Sequence, residues 1–479
     1  MSYRGRRAAA ILVPEMTAEL ATKNAAEAPA ASDGLPRPRL YAAIAAVSFG
    51  TTVTSIDGTI ATIALPTLSR ALHVQPSAAV LVITVYNLIL MMALLPFSAL
   101  GQRLGLRAAY NYGLSIYAGA TALCFFAHSL PFLVLVRALQ ALGCAAASSV
   151  SSAQIRNIYP LSRLGRGLSL NTVIAASASS LAPTVGGMIL SVASWPWLFA
   201  AVAPFAVLAV LIGRTSLPET PRHDAPYDVL GAVMCAATFG LVVFGLGSAI
   251  NGDSPVISAA VVAAGFALGF VFVQRELRQT LPVLPVDLLR IKEIALPCLG
   301  SLSAYLGMTI VLVALPFRLQ QQFHFSPAEA GAVLVPMPLV SVVVAPTSGL
   351  LSDRIPAGLL GGIGMVIGFI SMICLALLPA APTHFDILWR VALCGFGFGM
   401  FFSPNARQVM GAAPAHRAAA AGALFSTLRG AGQTLGATAI AALLAVGVGV
   451  GPVPGLIAAG FTCVAGICSV AVLKRRRDS

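Results

Sequence analysis

Asp57 lies within an apolar run that begins near Tyr41, in the stretch Ser55-Ile56-Asp57-Gly58-Thr59-Ile60-Ala61-Thr62. An ionised carboxylate at that depth in a bilayer costs roughly 3 kcal/mol on insertion scales, so such a group is a candidate for uptake and release of a proton. The competing reading is a carboxyl that only caps or kinks a helix weakened by Gly58. No other acidic residue falls near the middle of an apolar run. Three arginines do lie inside such runs, Arg137, Arg390 and Arg429. A guanidinium cannot readily be deprotonated, so each must meet water, a carbonyl or an acid. Asp386, one turn before Arg390, makes a local ion pair the expectation there. Arg429, with Gln433 one turn on, has no such acid and is a candidate for a cavity wall that meets an anionic group, or for a carbonyl-bonded structural residue. The eight cysteines sit in apolar runs without C-x-x-C spacing, and the six histidines lack paired ligand spacing. Neither a metal site nor a disulfide frame is expected. No phosphate-binding glycine loop of the GxxxxGK[ST] kind occurs, so ATP is not the expected energy source, and no cofactor is expected.

The elements that would hold these groups follow from composition. The chain has 479 residues, 58% hydrophobic and 9% charged, with a mean hydropathy of +0.89. Soluble domains carry about 25% charged residues, so the expectation is an all-α polytopic membrane protein. Apolar runs recur at roughly 41–64, 78–100, 108–127, 131–153, 168–192, 196–213, 229–249, 256–273, 294–316, 328–350, 358–379, 386–409, 419–446 and 454–473. Most have the ~20 residues of a spanning helix. Fourteen spans put both termini on one side. The net charge of +13 is scattered between the runs rather than gathered into a nucleic-acid patch. Of 29 lysines and arginines, 24 fall in the two tails and the connections after even-numbered spans, which makes that side cytoplasmic. Arg70 and Arg318 are assigned to outer loops.

The chain also repeats itself. Ser98 to Arg103 matches Gly349 to Arg354, and Arg156 matches Arg407, both at an offset of 251 residues, while Arg137 matches Arg390 at 253. Two parallel six-helix repeats with two inserted helices between them produce such an offset. The expected division is a disordered cytoplasmic tail over 1–39, a bundle over 40–213, a linker with two inserted helices over 214–293, a second bundle over 294–473 and a basic tail over 474–479. Met16 is an alternative start to Met1.

Four stretches carry a resemblance. Asp57-Gly58-Thr59-Ile60 closing in Ala64-Leu65-Pro66 resembles the first-span signature of the fourteen-span drug:proton antiporters of the major facilitator superfamily. The loop from Ser98 to Arg107 is similar to the superfamily's G-x-L-a-D-R-x-G-R loop. Ser98 replaces its glycine and Gln102 its acid, while Arg103, Gly105 and Arg107 remain. The second copy keeps Gly349, Asp353 and Arg354. Arg137-Ala138-Leu139-Gln140 with Gly143 resembles the fourth-span motif, and Pro183-Thr184-Val185-Gly186-Gly187 the fifth-span antiporter motif with its first glycine replaced by Ala182.

The resemblance implies that Asp57 handles protons or cationic drugs with Arg137 nearby, and that the two loops gate the cytoplasmic side. It implies that Pro183, Gly186 and Gly187 mark an exporter, and it suggests Tyr86 and Asn87 as further cavity residues. The expected function is export of small amphipathic molecules across a bacterial inner membrane by proton antiport and alternating access. The partners are then a small-molecule substrate, protons and the lipid bilayer, in a monomer that binds no nucleic acid and is not an enzyme. A uniporter or importer of a specific metabolite on the same scaffold is the alternative, and a channel or membrane enzyme a remoter one. Asp57→Asn is expected to leave the fold intact or more stable, because it removes a buried charge.

Overall fold

In the computed structural model the described residues are 34–160, 163–220, 228–250, 254–279, 286–352, 354–414 and 417–478, and among them all regular structure is helical. The first half comprises α1 (Arg37–Ala71), α2 (Leu81–Leu104), α3 (Leu106–Leu123), α4 (Leu130–Ile158), α5 (Leu164–Val192) and α6 (Pro196–Ser216). Helices α7 (Val229–Ile250) and α8 (Pro255–Glu276) follow. The second half holds α9 (Lys292–Gln322), α10 (Pro327–Leu351), α11 (Ala357–Ala376), α12 (His384–Ala412), α13 (Ala418–Ala445) and α14 (Val453–Asp478). In a bilayer every backbone polar group must be paired internally, which is why apolar runs of this length fold as helices.

Twelve helices among the described residues are long and apolar enough to cross a membrane. Helices α3 and α13 are the exceptions. α3 carries Arg107, Asn111 and three tyrosines, and α13 carries Arg429 and Gln433, which lowers their hydropathy although both pack within the bundle.

Proline at the first turn, where its missing N–H costs nothing, opens α4, α8 and α10. Capping boxes at Ser326–Glu329 and Thr383–Asp386 satisfy the first orphan donors of α10 and α12. The turn between α2 and α3 consists of Gly105 alone, at φ +91°, a conformation open to glycine. α1 begins at Arg37, so Arg37 and Arg39 belong to a helix rather than to the preceding tail, and residues 1–33 lie outside the described set.

Helix pairing is duplicated. In the first half α1 packs on α5 and α6, α2 on α4, and α3 on α4 and α6; in the second, α9 packs on α13 and α14, α10 on α12, and α11 on α12 and α14. The closest crossings match as well. A side chain at Gly113 of α3 would sit 2.7 Å from the Gly143 carbonyl of α4, and one at Gly364 of α11 would sit 2.7 Å from that of Gly397 on α12. Only glycine admits two membrane helices to such backbone contact. The α7–α8 pair packs against itself and meets the bundle through α7, which touches both α2 and α13.

Two assignments from the sequence are corrected. Arg70 is in the last turn of α1, and Arg318 lies within the helical continuation of α9. Neither is on a loop. Arg318 is buried, and its guanidinium donates to the carbonyls of Leu375 (2.8 Å) and Ala376 (3.2 Å) at the end of α11. Cys463 is exposed, six of the other seven cysteines are buried, and all are free thiols.

Candidate functional site

Asp57 is 0% exposed, on the face of α1 that meets α4. Arg137, 1% exposed, crosses from α4 and places Nη1 2.8 Å from Asp57 Oδ1. The Tyr117 hydroxyl on α3 donates to the same oxygen at 3.0 Å. Arg137 Nη1 also donates to Gln140 Oε1 at 2.8 Å, and Gln140 Nε2 donates to Thr121 Oγ1 at 2.9 Å. The guanidinium carbon stands 4.1 Å from the centre of the Tyr86 ring and 5.0 Å from that of Phe199. Aromatic faces attract a cation in such positions, and that attraction grows when water is excluded. Helices α1, α2, α3, α4 and α6 each contribute to one dry ion pair.

Its hydrogen bonding is lopsided. Among the described residues Asp57 Oδ2 and Arg137 Nε are buried with no hydrogen-bond partner. A buried polar atom without a partner costs about 1–3 kcal/mol, so this arrangement persists only if something offsets it. Chemically, the bare Oδ2 is where a proton would attach without displacing Tyr117 or Arg137. Protonation there would remove the negative charge that holds the guanidinium.

The expectation that Asp57→Asn stabilises the protein does not survive this geometry. Breaking a buried pair leaves the partner's charge uncompensated, typically costing about 3–5 kcal/mol.

Tyr86 is sealed beneath Arg137 rather than open to a cavity, and Asn87 beside it is half-buried. Arg429 is exposed, and its guanidinium is hydrogen-bonded to the Tyr305 hydroxyl across the α9–α13 contact; Gln433 is half-buried. Arg390 pairs locally with Asp386 at 3.3 Å and lies over the Trp389 ring. Pro183 and Gly186 are buried in α5, with Gly186 packed against Ile60, Ile63 and Leu198. A side chain at Gly187 would come within 2.5 Å of the Pro327 carbonyl and 2.8 Å of Ala328 Cα, so this motif is where α5 meets the start of α10.

The two halves also touch nearby through Gln320, whose Nε2 donates to the Ile63 carbonyl at 3.2 Å, and through an apolar cluster joining Ile60, Ala64, Val313, Phe317, Ala437 and Ile440. These contacts lie at the end of the bundle away from the chain termini. Nearer the terminal end, Gly58 on α1 has nothing within 4 Å of where a Cβ would stand.

In the last turn of α2, Arg103 is exposed and the side chain of Gln102 lies outside the described set. Arg107 forms an ion pair with Glu219, and the Leu106 N–H donates to Thr220 Oγ1 at 2.9 Å. Both partners follow α6. In the second copy Arg354 is exposed, Asp353 lies outside the described residues, and Arg407 of α12 donates to the Gly349 carbonyl (3.3 Å) and Ser352 Oγ (2.8 Å).

Sequence reasoning assigned no role to Tyr117, Thr121, Phe199 or Glu219. A phenol in a long apolar run is the only signal Tyr117 gives.

The sequence profile of the Major Facilitator Superfamily matches residues 47–437 and 297–479. A curated relative, the uncharacterised transporter YebQ of Escherichia coli, is 39% identical over 86% of this chain and 91% of its own length. Riboflavin transporter RibZ of Clostridioides difficile is 25% identical over 81% and 85%, and methyl viologen resistance protein SmvA of Salmonella typhimurium 26% over 81% and 79%. A solved POT family transporter in complex with a thioalcohol-conjugated peptide superposes with a TM-score of 0.70 over 92% of this chain and 96% of its own, at 16% identity, a likeness of fold alone. With a family profile spanning most of its length and a 39% identical transporter among its relatives, this multi-pass membrane transporter belongs to the Major Facilitator Superfamily.

Proposed function

We propose that the protein exports small amphipathic molecules in exchange for protons, with Asp57 as the proton-carrying group and Arg137 as the cation that answers its charge. The observation that carries this reading is the dry Asp57–Arg137 pair whose second carboxylate oxygen is left bare. A structural ion pair would be expected to have both oxygens satisfied. Export rather than import is supported by the Pro183–Gly187 motif at the contact between halves and by a relative named for methyl viologen resistance.

In this reading α3 and α13 also span, giving fourteen spans with both termini cytoplasmic in a bacterial inner membrane, and the duplicated pairing reflects two parallel six-helix repeats over 40–213 and 294–473. The inserted pair α7–α8 belongs to the segment 214–293. The joined end of the bundle then faces outward, and the turns at Arg103–Arg107 and Gly349–Arg354 act as cytoplasmic gates. The transporter works as a monomer.

The test is proton flux in proteoliposomes during addition of cationic, anionic and neutral amphipaths. Substrate-driven proton movement in the parent and its loss in Asp57→Asn are expected; equal proton movement in both removes Asp57 from the coupling. The relative named as a riboflavin transporter favours a second reading, transport of one metabolite, which a response to a single compound in the panel would support.

A further inference from the structure

Among the helical arginines of the two halves, Arg137, Arg318 and Arg390 are held by partners. Arg137 is paired with Asp57, Arg318 is bonded to the carbonyls of Leu375 and Ala376, and Arg390 is paired with Asp386. Arg429 differs. It is exposed, twelve residues into the 28-residue α13, and no acidic side chain among the described residues pairs with it. An exposed guanidinium at that depth belongs against a water-filled space rather than lipid. The neighbours on α13 agree. Gly430 packs on Met91 of α2, and Gly432, three residues past Arg429 on the same face, packs on Leu302 and Tyr305 of α9. The guanidinium thus emerges on the side of α13 that faces other helices of the bundle.

Beside it runs a row of rings. Tyr305 stacks on Phe402 of α12 with centroids 4.2 Å apart and planes 17° apart, and Phe402 stacks on Phe398 at 5.6 Å and 30°. Phe398 and Phe401 are buried, whereas Tyr305 and Phe402 are half-exposed, so the accessible part of the row is the part that Arg429 touches through the Tyr305 hydroxyl. Across the bundle, α1 is enclosed by α2, α4, α5, α6 and α9, yet Gly58 has open space beside it. Gly58 and Arg429 are thus exposed positions on two helices that each pack against several others. Since Asp57 and Arg137 cancel each other and Arg318 is buried against the carbonyls at the end of α11, the guanidinium left exposed among these four is that of Arg429.

Resting on the transport reading above, we propose that Tyr305, Phe402 and Arg429 form a substrate subsite for a planar aromatic anion. The ring lies against Tyr305 and Phe402, and the anionic group takes a charge-assisted hydrogen bond from Arg429. The uncompensated positive charge disfavours a cationic drug in the same place.

The full-length protein in phosphatidylcholine nanodiscs is titrated with 2-naphthoate, with N-methylquinolinium as a planar cation and with decalin-2-carboxylate as a saturated anion of similar size. Naphthoate should bind roughly tenfold or more tightly than either. Arg429→Gln should lose about tenfold of naphthoate affinity, and Arg429→Lys should keep most of it. Tyr305→Leu and Phe402→Leu should abolish the preference for naphthoate over decalin-2-carboxylate while retaining the preference for an anion.

Equal or tighter binding of the quinolinium, no naphthoate binding at millimolar concentration, or parent-like binding by a folded Arg429→Gln protein each overturns the subsite. If phosphatidylglycerol in the nanodiscs displaces naphthoate and ring planarity has no effect, Arg429 holds a lipid headgroup and the aromatic assignment fails. The coupling reading fails separately: proton movement unaltered by Asp57→Asn, with naphthoate selectivity intact, removes the proton site and leaves the subsite standing.

Discussion

Arg137 and Tyr117 both meet Oδ1 of Asp57, at 2.8 and 3.0 Å, and leave Oδ2 buried and bare. One oxygen anchors the carboxylate and the other is free to change. Asp57→Asn retains an acceptor for those two donors but strands the Arg137 charge in a dry site. It should therefore melt below the parent, with a loss of about 3 kcal/mol or more, and adding Arg137→Gln should recover part of it. Thermal unfolding in detergent checks this, and an unchanged or higher melting temperature in the single variant would contradict the buried pair.

Gly331 of α10 packs directly on the Pro183 carbonyl of α5, next to the Gly187 contact with Pro327. Neither backbone can give way. Gly331→Ala should force α5 and α10 apart, cut transport roughly tenfold, and open Gln320 to solvent, since an overpacked contact costs about 1–3 kcal/mol. Transport assays combined with labelling of a cysteine at Gln320 report both effects. Undiminished transport with Gln320 still protected would show that this crossing is not needed.

The loops proposed as gates give a third expectation, and the structure alters its basis. Gln102 lacks the acid of the resembled motif, but Glu219, after α6, supplies a carboxylate to Arg107 in the same turn. Transport should fall most in Asp353→Asn, measurably in Glu219→Gln, and least in Gln102→Ala. Equal losses in all three would show that the turns act by shape alone.

Asp287, in the short helix before α9, accepts from Arg417, just before α13. That hydrogen bond holds its carboxyl below the ordinary carboxylate value. A depressed folded-state pKa means that the stabilising contribution is complete above the unfolded value of about 4 and lost as pH falls through the folded one. Both side chains are about a third exposed, so solvent screens the pair and the effect is small. Limited proteolysis from pH 6 to pH 3 should show a steeper loss of protection in the parent than in Asp287→Asn; parallel profiles would assign the acid sensitivity elsewhere.

Orientation is tested in the cell. With Cys463 replaced, since it is exposed, a cysteine at Phe323 should react with an impermeant thiol reagent from outside and one at Leu161 should not. The reverse pattern would invert the topology.

The sequence already shows much of this architecture, for a simple reason: a bilayer accepts few structures, and long apolar runs leave helices as the only answer. Asp57 stands out because burial makes a carboxylate expensive wherever it sits. Arg318 was misplaced because counting charges between apolar runs cannot see a helix that continues past its apolar part to bond Leu375 and Ala376. Tyr117 and Glu219 were missed because their roles depend on partners 60 and 112 residues away, and no local spacing encodes those encounters.

The contact between Gly187 and the backbone of Pro327 has a kinetic consequence. It is made of carbon and carbonyl surfaces in close approach, with Gln320 to Ile63 as a direct hydrogen bond nearby. Parting such surfaces gives up many weak dispersion contacts in sequence rather than one strong bond at once. Water entering the widening crack would solvate the Gln320 amide and the Ile63 carbonyl as they separate. In the proposed alternating access the barrier to parting would then scale with the area of the contact, and the bulk of the small residues along α5 and α10 would set the speed of turnover.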